Sequence, residues 1–353
     1  MRFEYYHAGL DRVPKLSVDG TVSNSIHFSH WQGNRTPATV KADTSTEIVL
    51  NLVGSPNRRE LTGGIELVTN NHFDTDGVLS VWTMLNDERA LALRESLIPA
   101  AEAGDFSEYT GEAAVRASIV IQGSDQVAPS EEPGSPLANH LAGETVTDDA
   151  RSYRLVLPEV ERVLTRTDDY EPLWRDAWTR IAAALESFAR GASRVEESTD
   201  ARFSLITLSP GLFSPSGFDP ARHAMPITAI AHHARGRLFL IAAPMASGWA
   251  YRADYPYYSW AETIVRPAVV RRDFGALMAR LNELERGAAG AWRADTSELA
   301  SAFKFVDAAG AMAASSLAPE RVSEEIRAAL VEAETVVERQ SSSSSSAGAA
   351  PNG

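Results

Sequence analysis

A predicted strand that runs directly into an acidic turn, with a helix behind it, limits the folds open to this chain. Residues Gly64–Asn70 are rich in aliphatic and β-branched side chains and predict a short strand. The turn Asn71–Gly77 follows at once, and Val78, Val81 and Leu85 then recur at helical spacing. A strand, turn and helix in this order favour an α/β protein in which the strand end projects polar side chains into a cleft.

The rest of the chain predicts an α/β fold with a parallel or mixed sheet flanked by helices, and a second α/β domain. Hydrophobic residues make up 44% of the 353 residues, which is enough for packed cores along most of the length. The first domain is predicted at 1–145 and carries the acidic turn, and the second is predicted at 150–337 and shapes the pocket. Residues 338–353 are predicted to be a disordered tail because their polar and small side chains bury little apolar surface.

Individual elements are predicted from periodicity and turn residues. Residues 1–45 are polar and predict loops with short extended pieces. The further predicted strands are Glu47–Val53, Phe203–Leu208, Ile227–Ile230 and Arg237–Ala242, and the further predicted helices are 88–103, 151–191, 274–284 and 321–337.

Charge and composition exclude several functions. A net charge of -14 disfavours duplex nucleic acid, whose phosphates an acidic surface repels. The chain has no cysteine, which excludes disulfides, thiolate metal sites and cysteine nucleophiles. No apolar run of about 18 residues and no secretory signal are visible, so the protein is expected to be cytoplasmic and to avoid membranes. Serine-nucleophile, Walker-type and dinucleotide-binding motifs are also missing from the sequence.

The turn itself carries the residues that suggest chemistry. Alternate residues of a turn come to one side, so His72, Asp74 and Asp76 can converge. Two carboxylates and an imidazole suit a hard or borderline divalent cation. A calcium loop of the EF-hand type does not fit, because position one is His72 and position twelve is Thr83. The competing interpretation is structural: Asp74 and Asp76 merely cap the helix that follows.

The segment Val68–Ser80 resembles motif I of the DHH phosphoesterase superfamily, in which His-x-Asp-x-Asp-Gly joins a strand to a helix. The resemblance implies a manganese or magnesium cofactor and hydrolysis of phosphoesters or phosphoanhydrides. It also implies that His72, Asp74 and Asp76 are catalytic residues that ligate the metal. The segments Ser29–Trp31, Gly33–Pro37 and Asp43–Glu47 resemble an uncharacterised bacterial protein family, which brings no known activity.

The chain departs from the superfamily in its later motifs, because it has no Asp-His-His triplet. The nearest string is Ala231-His232-His233, which lacks the Asp and lies far downstream of the usual place. His232 is therefore a further candidate metal ligand, although such a pair is more often one packed and one solvated histidine. Asp105 could act as a second acid, but a polar loop residue is the interpretation favoured by the sequence.

The segment around Trp31 supplies candidate substrate-binding residues. Arg35 could bind a phosphate or carboxylate with its planar guanidinium, with Asn34 and His30 beside it. The competing interpretation is a surface loop with one buried tryptophan.

Together these features predict a divalent-metal-dependent hydrolase, a phosphoesterase acting on a small phosphorylated molecule or nucleotide. Metal-activated water would be the nucleophile. A homo-oligomer is compatible with the sequence. Two alternatives stay open: a non-catalytic binding or regulatory module that kept the turn but lost the later motifs, and a metal-dependent tailoring enzyme with a non-phosphate substrate.

Overall fold

The computed structural model describes residues 1–124, 134–285, 289–295 and 299–331. The chain forms two compact units, and each contains a sheet. Unit 1 consists of Met1–Glu186, Ala221–His232 and Tyr257–Val269. The predicted tail at 338–353 lies outside the described residues. The fold is mixed α/β, with one parallel sheet and one mixed sheet flanked by helices, as predicted.

Unit 1 contains a four-stranded sheet and most of the helices. Its strands are β1 (Arg2–Phe3), β2 (Lys15–Val18), β3 (Ser25–Phe28) and β4 (Leu67–Thr69). Its α-helices are α1 (Ser45–Val53), α2 (Arg58–Leu61), α3 (Thr75–Leu85), α4 (Asp87–Ala92), α5 (Arg94–Asp105), α6 (Glu112–Gln122), α7 (Pro136–Ala142), α8 (Asp149–Val156), α9 (Val160–Thr165) and α10 (Glu171–Ala189), the last of which runs beyond Glu186. Short 3-10 helices are Ala8–Leu10, Leu157–Glu159 and Thr167–Tyr170.

The sheet of unit 1 has the order β1-β4-β2-β3, and every neighbouring pair is parallel. Helices α1 and α3 pack closely on each other beside the sheet. The core between these elements is apolar and includes Leu16, Phe28, Val68 and Leu79, each with no exposed surface. Because all four strands run the same way, their carboxyl ends open on one edge, where ligands bind in parallel sheets.

The predicted strand at Glu47–Val53 is wrong, because this segment forms helix α1. Thr44 begins the helix: its side chain accepts a hydrogen bond from the backbone N–H of Glu47 at 3.2 Å. Ile48, Val49 and Leu52 then bury their side chains. An N-cap threonine satisfies one of the open amides of the first turn, and this local bond outweighs the strand propensity of β-branched residues.

Replacing Thr44 with Ala should lower the free energy needed to open α1 by about 1 kcal/mol, the usual cost of losing an N-cap hydroxyl. The amides of α1 should then exchange with solvent faster, by about fivefold, because local opening becomes easier. Hydrogen exchange read by mass spectrometry measures this, and Thr44→Ser, which keeps the hydroxyl, is the control. Equal exchange in the alanine variant and the wild type would show that the cap does not hold this helix.

Unit 2 consists of Ser187–Pro220, His233–Pro256 and Val270–Gly353. Its strands are β5 (Arg194–Ser198), β6 (Phe203–Thr207), β7 (Leu238–Met245), β8 (Gly248–Asp254), β9 (Ala291–Ala294) and β10 (Ser301–Val306), in the order β5-β6-β7-β8-β10-β9. Only the β6–β7 pair is parallel among these described strands. Its helical elements are the 3-10 helix Pro210–Leu212, α12 (Gly275–Leu284) and residues 319–331.

Two further predictions, one on a strand and one on the domain boundary, differ from the structure. Residues Ile227–Ile230 are not a strand, because they begin helix α11 (Ile227–His233). The predicted domain boundary near 145–150 also differs from the observed division, since α8, α9 and most of α10 belong to unit 1. Their apolar faces, including Tyr153, Val156 and Val160, lie in the same core as the parallel sheet.

Across the ranges that the structure describes, none of the helices combines the length and the apolar content needed to cross a lipid bilayer.

Candidate metal centre

Three side chains of the candidate centre follow three adjacent strands of the parallel sheet. Asp19 comes directly after β2, His30 lies two residues after β3, and His72 lies three residues after β4. Because β4, β2 and β3 are neighbours and parallel, these residues meet at one edge of the sheet. Asp19 has a left-handed backbone, with φ 49°, which turns the chain sharply at the strand end.

Four side chains form what we call the inner group: Asp19, His30, Asp76 and Asp105. The Nε2 atom of His30 lies 3.4 Å from Asp19, 3.6 Å from Asp76 and 3.1 Å from Asp105. Their potential ligand atoms all lie within 4.8 Å of one another. The side chain of Asp105 is 4% exposed and the other three are fully buried. One imidazole and three carboxylates thus surround a common point away from solvent.

A second set, the outer group, shares Asp19 with the first and adds His72 and Asp74. The Nε2 atom of His72 lies 3.0 Å from Asp19 and 3.0 Å from Asp74. His72 approaches Oδ2 of Asp19, whereas His30 approaches Oδ1. The side chains of His72 and Asp74 are 28% and 27% exposed. Asp19 therefore presents one carboxylate oxygen to a buried group and the other to a group that solvent reaches.

The helix-cap interpretation is correct for one carboxylate oxygen of Asp74. Its Oδ1 accepts a hydrogen bond from the backbone N–H of Gly77 at 2.7 Å and caps α3, while its Oδ2 faces His72. Asp76 does not cap its own helix. Its two oxygens accept the backbone N–H groups of Ser45 and Thr46, both at 2.7 Å, at the start of α1. Both acids are thus oriented by helix ends and still reach a histidine.

The orientation of His30 follows from a single backbone bond. Its Nδ1 lies 2.6 Å from the carbonyl oxygen of Asp43. A carbonyl can only accept, so Nδ1 carries the proton and Nε2 faces the carboxylates. Histidine ligands of metals are commonly oriented in this way, by a backbone or carboxylate acceptor on the second nitrogen.

Several buried polar atoms of both groups fail to make a hydrogen bond. They are Oδ2 of Asp19, Nε2 of His30, Nε2 of His72 and Oδ2 of Asp105. They lie close to one another around a shared space, but none of them has the geometry of a hydrogen bond to a neighbour. Buried polar atoms without partners are costly, so a set of them that converges calls for a common ligand. A divalent cation is such a ligand, and the residues present fit one.

The charges of the cluster support a cation. Burial lowers the pKa of His72, but the charges of Asp74 and Asp19 outweigh it and raise this pKa to about 12. Burial, and next the charge of Asp19, raise the pKa of Asp76 to about 7. Burial also raises the pKa of Asp105 well above its usual value. Without a cation these groups hold protons. If all four carboxylates were ionised beside two neutral imidazoles, the cluster would carry an excess of negative charge, which a divalent ion would offset.

The structure brings some of the predicted site residues together and leaves others apart. His72, Asp74 and Asp76 lie in the two groups, and His30, predicted to bind substrate, lies in the inner group as a candidate metal ligand. His232 belongs to neither group: it lies on α11 with its ring centre 5.1 Å from that of Tyr109.

The other two predicted substrate-binding residues lie in the loop after His30. Asn34 donates to the backbone oxygen of Trp31 at 2.9 Å and to Glu262 at 2.7 Å. Arg35 is exposed, and its backbone amide donates to His27 at 3.2 Å. Neither residue belongs to the inner or outer group.

Sequence reasoning missed Asp19 and underrated Asp105. Asp19 follows the apolar alternation of Lys15–Val18 and precedes Gly20, a strand-end acid that could have been noticed. A side chain at Gly20 would meet the side-chain oxygen of Asn71, which lies 2.7 Å from the position of its first carbon, so the Asn71 side chain would have to move aside. Asp105 ends helix α5, and no local pattern marks it as a site residue.

Comparisons with known proteins give one family and one distant structure. No curated protein matches the chain. The chain is similar to a solved structure described as a pGpG-specific phosphodiesterase, PggH, from Vibrio cholerae, with 10% identity, coverage of 90% of this chain and 83% of that chain, and a TM-score of 0.36. A likeness at that TM-score supports no conclusion about this protein. The model of a family of unknown function, DUF6687, matches residues 2–341, so the chain belongs to that family.

Proposed function

We propose that this protein is a divalent-metal-dependent hydrolase that cleaves a phosphoester bond in a small phosphorylated molecule or nucleotide. The observation that carries the proposal is the double role of Asp19, whose two oxygens join the buried inner group to the solvent-accessible outer group. Paired metal sites that share a carboxylate suit in-line displacement at phosphorus, where both the attacking and the leaving oxygen need stabilisation.

Two further observations support this reaction class. The ligand atoms are oxygens and imidazole nitrogens, a set that suits Mn or Mg. The turn Asn71–Gly77 resembles motif I of the DHH phosphoesterases, and its His72 and Asp74 belong to the outer group while its Asp76 belongs to the inner group. The net charge of -14 favours a small-molecule substrate over duplex nucleic acid.

The exposure of the residues separates two ion sites. Asp19, His30, Asp76 and Asp105 would hold one ion in the closed interior, and Asp19, His72 and Asp74 would hold the second at the open side. Divalent ions, when bound, lower the pKa of water and polarise a phosphoryl oxygen. Because only the outer group is exposed, substrate approaches past His72 and Asp74. The cap bond from Gly77 keeps Asp74 oriented toward that opening.

The replacement of Asp74 by Asn tests the proposal against the helix-cap interpretation. Asn caps a helix nearly as well as Asp but lacks the charge that holds a cation. With Mn, the wild type should hydrolyse at least one substrate in a panel of phosphomonoesters, phosphodiesters and pyrophosphates. Asp74→Asn should lose at least about 100-fold of that rate, equal to about 2.7 kcal/mol of transition-state stabilisation.

Asp148→Asn is the matched control. Asp148 is an exposed aspartate that caps α8 by accepting from the backbone N–H of Arg151 at 2.6 Å, and it belongs to neither group. This variant should keep wild-type activity, and circular dichroism should show both variants folded. Equal activity in the two variants would reject the metal-hydrolase proposal. Mn binding by the wild type without hydrolysis of any substrate would favour a non-catalytic binding module.

A further inference from the structure

One arginine of unit 1, Arg266, is bound to three carboxylates. Its guanidinium donates to Asp43 at 2.8 Å, to Glu102 at 2.7 Å and to Glu108 at 2.6 and 2.8 Å. Its carbon centre lies 4.8 Å from the centre of the Phe106 ring, and the side chain is only 16% exposed. A planar guanidinium with this many partners is held in one orientation, which a lysine could not reproduce.

The first of these carboxylates belongs to the residue that orients His30. The carbonyl oxygen of Asp43 accepts from His30, while its carboxylate accepts from the backbone N–H groups of Val265 and Arg266 at 2.8 and 3.0 Å. The same segment also binds the backbone of His30, whose carbonyl oxygen accepts from the N–H of Glu262 at 2.7 Å. Arg266 and its neighbours therefore fix the position of His30 through Asp43.

The other two carboxylates flank Asp105. Glu102 lies one helical turn before it in α5 and Glu108 lies three residues after it, and the N–H of Glu108 donates to the carbonyl of Glu102 at 3.3 Å. The guanidinium joins both side chains and covers Phe106, which is adjacent to Asp105. The end of α5, where Asp105 leaves the helix, is thus held by the same arginine.

We propose that Arg266 is a positioning residue for the inner group: it holds His30 and Asp105, two ligands from distant parts of the chain, at the spacing a cation needs. The proposal rests on the metal centre of the proposed function. The hydrogen bonds of Arg266 do not involve His72 or Asp74, which are placed by the end of β4 and the start of α3. Loss of Arg266 should therefore weaken the inner ion selectively.

The test is a titration of the purified full-length chain with Mn alone, followed by calorimetry or by electron paramagnetic resonance of free Mn. The wild type should bind two Mn ions, and Asp74→Asn should retain only the inner one. Adding Arg266→Lys to Asp74→Asn should weaken that remaining site by ten- to 100-fold, the usual effect of removing a group that orients a ligand. In the wild-type background, Arg266→Lys should weaken one of the two sites and leave the other unchanged.

A second variant removes the same contact from the other side. Both donors of Arg266 to Asp43 reach Oδ2, whereas the amides of Ile264 and Val265 reach Oδ1. Asp43→Asn can keep Oδ1 for those amides and the carbonyl for His30, but it places an NH2 group against Arg266. We expect it to weaken the inner site as Arg266→Lys does.

The matched control is Arg116→Lys. Arg116 has a similar exposure of 20%, forms ion pairs with Glu112 and Asp168, and lies 3.8 Å from the centre of the Trp174 ring, but it touches neither group. Its Mn titration should equal that of the wild type even if its melting temperature falls.

Four results would overturn the proposal. If Arg266→Lys lowers the melting temperature but binds Mn like Arg116→Lys, the arginine is structural only. If it weakens both sites equally, its effect is not confined to the inner group. If the wild type hydrolyses phosphoesters and binds two Mn while Arg266→Lys does the same, the proposed function stands and this inference alone fails. A wild type that binds no Mn removes both.

Discussion

Asp19→Asn should release both metal ions and reduce hydrolysis by at least about 1000-fold, or about 4 kcal/mol of transition-state stabilisation. Asp19 is the only residue common to the two candidate groups among the described residues. Removal of its negative charge should therefore weaken the binding of both ions, whereas His30 and His72 each belong to only one group. Mn content by atomic absorption and the rate on the best substrate measure the two effects.

Asparagine is the right replacement for this position. It tolerates the left-handed backbone of residue 19 and keeps an oxygen that can accept from the Ser45 hydroxyl, which lies 2.8 Å from Oδ1 of Asp19. The fold should survive, as circular dichroism would show. Asp168→Asn, on a side chain that is 89% exposed, is the control and should behave as the wild type. If Asp19→Asn retains Mn and activity, neither group binds a catalytic ion.

Withdrawal of metal should destabilise unit 1 by several kcal/mol. Each ion that binds only the folded state adds about 2.7 kcal/mol at 100 times its dissociation constant, so two ions add about 5 kcal/mol. For a domain of this size that difference corresponds to a shift of roughly 10 °C or more in melting temperature. The physical reason is the excess of buried carboxylates, which repel one another unless a cation is present.

Thermal melts with Mn, Mg, Ca or EDTA measure this effect. Mn should stabilise most, because each group includes an imidazole nitrogen, which the hard ion Ca accepts poorly. The same melts on Asp19→Asn should show no Mn-dependent shift, which separates the specific ion from general screening of an acidic protein. Identical melting of the wild type in Mn and in EDTA would contradict the metal centre.

The local chemistry of the turn was readable from the sequence. The pattern from Val68 to Ser80 predicted a strand, a turn with convergent acids and a helix, and the structure has β4, the turn and α3 in that order. Periodicity also located α12, β6 and β7 to within a few residues, and it predicted the helical stretch 151–191 in which α10 lies. These elements were predictable because their apolar spacing, caps and turn residues are local properties of the chain.

The parallel strands β2 and β3 are among the elements that were not predicted, and the reason is physical. Strands β2 and β3 are only four residues long, so their alternation of polar and apolar residues has the shortest length at which alternation predicts a strand. Lys15 is fully buried because its ammonium group donates to the carbonyl oxygens of Leu10 and Val13. Only the packed chain reveals these partners, since burial of such a group depends on residues outside its own segment.

By itself, the sequence determined that any cation site would have to use oxygen and imidazole ligands, because the chain has no cysteine, and it predicted that one turn supplies His72, Asp74 and Asp76. Only the tertiary structure decided that Asp19, His30 and Asp105 join them, because parallel strand ends and the end of α5 meet there. Ligands that come from separate elements leave no spacing pattern in a sequence. Their convergence depends on sheet order and helix packing, which are set by contacts between residues far apart in the chain.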